Sequence, residues 1–79
     1  MRWLFKLLER SNRLIIYAYS TESYDLDGKI VYDLENRQAR IMVPSAEDRD
    51  SKEGQEMALE SFQTVISEDF PGERYICIG

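Results

Sequence analysis

The chain has 79 residues, 43% of them hydrophobic and 32% charged, with a formal net charge of −5, one cysteine and no histidine. A length of this order makes one domain, 1–79, because single cores split only beyond roughly 250 residues. The composition excludes a disordered chain, and no apolar run approaches the ~20 residues that cross a bilayer.

Without histidine there is no imidazole base, no Ser-His or Cys-His nucleophile pair and none of the commonest metal ligands. Four scattered glycines form neither a phosphate loop nor a dinucleotide fingerprint. A non-enzymatic protein with no cofactor and no metal is expected. The lone Cys77 cannot form an internal disulfide, which points to the cytoplasm. The N-terminal apolar run is broken by Lys6 and is too short for a signal peptide.

Residues 1–20 carry four basic and one acidic side chain, whereas residues 21–79 carry six basic and fourteen acidic ones. An acidic body disfavours nucleic acid as a partner, since phosphate binding relies on clustered Lys and Arg.

Residues 2–10 predict a short amphipathic helix, with Trp3, Leu4, Leu7 and Leu8 on one face and Arg2, Lys6, Glu9 and Arg10 on the other. Trp3, Phe5 and Leu7 also alternate as a strand would, but the leucines and the 3.6-residue spacing favour the helix. Such a helix could touch an anionic membrane surface, yet two turns hold a membrane poorly, and folding back onto the sheet is the preferred reading.

Leu14 to Tyr19 predicts a strand apolar on both faces, suited to the middle of a sheet or to a face that meets another subunit. Ser23-x-Asp25-x-Asp27-Gly28 resembles the first half of an EF-hand calcium loop, but the twelfth position is Leu34 where a bidentate Glu is needed. A hairpin turn at Asp27-Gly28, with the glycine at positive φ, is the better reading. Ile30–Leu34 and Ala39–Val43 predict two further strands, the second stopped by Pro44.

The stretch from Ser51 to Asp69 organises the rest. Ala58, Leu59, Phe62, Val65, Ile66 and Phe70 fall on one helical stripe, opposite Glu53, Glu56, Glu60 and Ser67. An extra turn is expected at 45–48, Gly54 costs up to ~1 kcal/mol in the first turn, and Met57 lies off the stripe. Pro71-Gly72 ends this helix, and Arg74–Ile78 predicts a last strand, parallel to the Leu14 strand through a right-handed crossover, with Cys77 buried.

The expected fold is α+β, a small four-stranded, mostly antiparallel sheet with an N-terminal helix and one long helix, α-β-β-β-α-β, in strand order 3-2-1-4. The surplus of apolar surface predicts a protein-interaction module that self-associates as a homodimer or docks on a protein partner. Trp3, Leu4, Leu7, Tyr17 and Tyr19 are the candidate interaction residues, on an apolar sheet face or the N-terminal helix. One alternative is an acidic antagonist presenting Glu47, Asp48, Glu53, Glu56 and Glu60 as a continuous mimic of nucleic acid. Another is a small-molecule-binding domain.

Overall fold

Residues 2–10 form a strand, not the expected helix, and this one difference rearranges the sheet. The computed structural model describes residues 1–79. Strand β1 (Arg2–Arg10) lies between β2 (Leu14–Thr21) and β5 (Glu73–Cys77), antiparallel to both. With β3 (Gly28–Asp33) and β4 (Gln38–Val43), the chain builds one five-stranded antiparallel sheet in the order β4-β3-β2-β1-β5. A 3-10 turn (Ala46–Asp48) and the single helix α1 (Lys52–Ser67) come between β4 and β5. The expected α-β-β-β-α-β with four strands is therefore corrected to β-β-β-β-α-β with five.

The alternation of Trp3, Phe5 and Leu7 prevailed over the 3.6-residue spacing for a physical reason. An isolated nine-residue helix is marginal in water. As a strand the same segment is hydrogen-bonded along both edges and puts its aromatic residues under α1. A bulge between Leu7 and Glu9 breaks the alternation, which is why Leu8 and Glu9 blur the pattern.

The last strand is corrected in the same way. It runs in the direction of β2, but β1 stands between them, so β5 pairs antiparallel with β1. β1 and β3 occupy both edges of β2, and the free edge left for β5 belongs to β1. Cys77 is exposed rather than buried, because β5 is an edge strand whose Cys77 is paired with Arg2, away from the helix side.

Side chains directly opposite one another on neighbouring strands share a face. Trp3, Phe5, Ile15, Tyr17, Tyr19, Ile30, Tyr32 and Ile76 face the helix, where Ala58, Phe62 and Val65 meet them. The Phe62 ring centre lies 5.5 Å from that of Phe5 and 5.3 Å from that of Tyr17, the latter edge to face. Phe70 closes one end of the core, 5.2 Å from the Tyr32 ring, with the Arg10 guanidinium 5.5 Å above it.

The helix starts at Lys52, one residue after the expected Ser51. Ser51 is the N-cap, and its hydroxyl accepts the Gly54 N–H at 2.9 Å. Close packing accompanies Gly54, where a Cβ would stand 2.8 Å from the Asp48 carboxylate and 3.0 Å from the Ser51 hydroxyl, so that one of these side chains would have to shift. The expected turn at 45–48 is present as the 3-10 turn.

Gly28 plays a different part from the one expected of it. The left-handed positions of the 22–27 loop fall to Glu22 and Leu26, while Gly28 itself is extended and buried in β3. A Cβ at Gly28 would meet the Tyr19 ring at 2.4 Å and the Ser45 backbone nitrogen at 2.7 Å. Close approach, not turn geometry, demands this glycine.

Candidate functional site

The helix covers one side of the sheet, and no element of secondary structure covers the other. Alternation along the strands places Leu4 and Lys6 of β1, Leu14, Ile16, Ala18 and Ser20 of β2, Lys29, Val31 and Asp33 of β3, Arg40 of β4 and Tyr75 of β5 on this open side. Leu14 is 37% exposed, Tyr75 41% and Leu8, within the β1 bulge, 51%, while Leu4 and Ile16 are half-buried and Ala18, Ser20 and Val31 are buried even on this side. Tyr24, from the 22–27 loop, folds against this side and stacks on Tyr75 with ring centres 6.2 Å apart and planes 12° apart. At the same corner Glu22 accepts the Arg2 backbone N–H at 2.7 Å, and its carboxylate lies 3.8 Å from the Arg2 guanidinium. Both signs of charge lie on and around this surface, Arg2, Lys6, Lys29 and Arg40 against Glu9, Glu22, Asp33 and Glu73, with Lys6 standing between Leu4 and Leu8 and opposite Ala18.

The five residues expected to meet a partner are dispersed by the fold. Trp3, Tyr17 and Tyr19 are buried beneath the helix, and Leu7 is half-buried beside them. Leu4 alone lies on the open side. The residues that do form that surface, Leu8, Leu14, Ile16, Tyr24 and Tyr75, could be recognised only once it was clear which face of each strand α1 takes. With residues 2–10 a strand and Trp3 inside, membrane contact through an N-terminal helix has no element to act through. No helix of the structure is long and apolar enough to cross a membrane.

The carboxylates expected to form a continuous acidic face do not. Asp48 is 2% exposed and points inward, where it accepts the Tyr19 hydroxyl at 2.9 Å and the Thr21 hydroxyl at 2.8 Å. Around it the Ser45 N–H donates to the Tyr19 hydroxyl at 2.9 Å, and the Ser45 hydroxyl donates to Asp27 at 3.1 Å. This network ties the segment before α1 onto β2, a structural use of side chains that read as solvated surface in the sequence. Exposed Arg49 and Lys52 interrupt the remaining acidic residues.

Two of the tyrosines are held un-ionised by the fold. Burial pushes the Tyr17 phenol up to about 12, against the pull of Arg10, and its hydroxyl donates to the Pro71 carbonyl. Burial likewise raises Tyr19, opposed by the Ser45 N–H and assisted by Asp48. A phenol whose folded pKa exceeds the unfolded value of 10.0 contributes stability that is complete below pH 10 and is lost as pH climbs through the folded value. The denaturant midpoint is therefore expected to fall steadily above about pH 10, with a shallower fall in Tyr17→Phe. An alkaline limb equally steep in that variant would remove Tyr17 from the account.

A second surface feature lies on the helix side. A groove of about 430 Å³ opens between α1 and the β1–β5 edge, lined by Met1, Trp3, Ile76 and Ile78 from the sheet side and by Met57, Glu60, Ser61 and Thr64 from the helix. Met57, off the helical stripe in the sequence, is half-buried here rather than simply exposed. No protein-family model, no curated protein and no solved structure matches the chain.

Proposed function

We propose that the chain is a non-enzymatic interaction module that self-associates through the open side of its sheet. The observation behind this reading is the partly exposed apolar surface of Leu8, Leu14 and Ile16 toward one end of the open side and of Leu4 with the stacked Tyr24 and Tyr75 toward the other, on a sheet covered by a helix on its other side only. Apolar surface gathered on one face and bordered by polar residues marks an interaction surface. Charges of both signs lie on and around this surface, so a second copy meets opposite as well as like charges across a two-fold contact. The exposed Cys77 and the absence of any disulfide suit the reducing environment of the cytoplasm.

Sedimentation velocity at micromolar concentrations tests the reading. The expected result is a dimer that Leu8→Glu with Leu14→Glu converts to monomer. Each of these exposed positions should change monomer stability by no more than about 0.5 kcal/mol. A wild-type chain that sediments as a monomer at these concentrations would overturn self-association. So would a dimer that the two charges leave intact.

A further inference from the structure

The groove between α1 and β5 lies on the opposite side of the sheet from the proposed interface, and its chemistry is different. Its floor is Trp3, which pairs across the strands with Ile76, and its wall is the Met57, Glu60, Ser61 and Thr64 side of the helix. Trp3 is 2% exposed, and its indole nitrogen is buried with no hydrogen-bond partner, the one side-chain polar atom of the molecule in that condition. Buried donors are nearly always paired, so this N–H, on a residue that lines the groove, is a donor without its acceptor. A volume of about 430 Å³ is within the range of small-molecule sites, which are mostly apolar with a few placed polar groups.

We infer that this groove binds a small apolar molecule carrying an uncharged oxygen acceptor. The oxygen accepts the Trp3 indole N–H, and the hydrocarbon portion lies along Ile76 and Met57. Met57 is unbranched and repacks readily, which gives a guest access to the indole edge. Glu60 is exposed at the groove and its carboxylate repels an anion, while the Met1 ammonium, which donates to the Ile78 carbonyl at the same groove, attracts one. With the two charges opposed, the apolar lining decides: a carboxylate would have to shed its hydration against Trp3, Ile76 and Met57, so amides, alcohols and ketones are selected over carboxylates of the same length.

Trp3 is the only tryptophan, so its emission and its single indole N–H resonance report on the groove without a label. Octanamide and octanoate, matched in length and differing in charge, are the probes, titrated at neutral pH. Octanamide is expected to give a saturable change in Trp3 emission and a downfield shift of the indole N–H. Octanoate should bind about tenfold more weakly, and Glu60→Gln, which removes the like charge, should narrow that gap. Thr64→Phe, which fills the groove from its wall, should abolish octanamide binding while leaving the indole resonance dispersed as in a folded chain. The inference is overturned by an absence of saturation with octanamide, by binding that leaves the indole N–H unmoved, by equal affinity for octanoate, by a gap that Glu60→Gln does not narrow, or by binding that survives Thr64→Phe.

Discussion

Phe62→Ala is expected to destabilise the protein by about 3–5 kcal/mol, the usual cost of deleting a fully buried aromatic ring. Phe62 has no exposed surface, and its ring is in contact range of Phe5 on β1 and Tyr17 on β2, so it joins the helix to the two central strands at once. The rings around it are themselves in fixed positions. Tyr17 is tethered through its hydroxyl to the Pro71 carbonyl, and Phe5 stacks on Tyr19 with planes 21° apart. Such neighbours cannot collapse into the cavity, which places the loss toward the upper part of the range. For a chain of this length the whole stability is roughly 4–12 kcal/mol, so the variant should be partly or wholly unfolded. Urea unfolding measures this directly, and Phe62→Leu, which keeps most of the volume, should lose only about 1 kcal/mol. A loss below about 1 kcal/mol in Phe62→Ala would show that the helix does not depend on this ring for its seat.

Gly28→Ala should cost about 3 kcal/mol, near the top of what overpacking does. The added methyl would stand 2.4 Å from Tyr19 Cε1 and 2.7 Å from the Ser45 backbone nitrogen. Neither can move away. Tyr19 is fully buried, donates to Asp48 and accepts from the Ser45 N–H, so the clash would be transmitted into the buried network that holds the start of α1. Gly72→Ala is the matched control, with nothing within 4 Å of the added carbon, and should stay within about 0.5 kcal/mol of wild type. If the two alanines cost the same, the close approach of β2, β3 and Ser45 is not what Gly28 serves.

The parts of the fold legible in the sequence are those governed by local rules. α1 has a stripe at spacings of three and four beside a capping serine, each acting within a few residues of itself. Its end, by contrast, falls at Ser67, before Pro71-Gly72; Asp69 and Phe70 take left-handed backbone there, and Phe70 leaves the expected stripe. β3 and β4 alternate beside turn residues, and Pro44 ends the second of them. Residues 2–10 were ambiguous because nine residues carry both a 2.0 and a 3.6 period, and only the presence of two strands to pair with decides between them. The same holds for Gly28. Its neighbour Asp27 makes it look like a turn glycine, while the reason for it, Tyr19 and Ser45 pressing on its Cα, comes from residues 9 and 17 positions away. Asp48 was hidden for the opposite reason: among exposed acidic neighbours, nothing local distinguishes the one carboxylate that turns inward.

The candidate surfaces follow the same division. That β2 is apolar on both faces is written in Leu14 to Tyr19, and it implied a surface in need of cover. Which face receives the helix depends on the register of β1, β2 and β3 and on where α1 returns across them, so Tyr17 and Tyr19 went inside while Leu14 and Ile16 stayed out. The groove is further still from the sequence, since Trp3, Thr64 and Ile76 have no relation along the chain. By itself the sequence determined composition, the absence of imidazole chemistry, the existence and apolar face of the helix, and the excess of apolar strand surface. The tertiary structure decided the five-stranded order, the inward turn of Asp48, the open face and the orphaned indole N–H. Short-range rules act through the few residues around each position, whereas burial and hydrogen-bond satisfaction depend on which distant segments come to lie side by side.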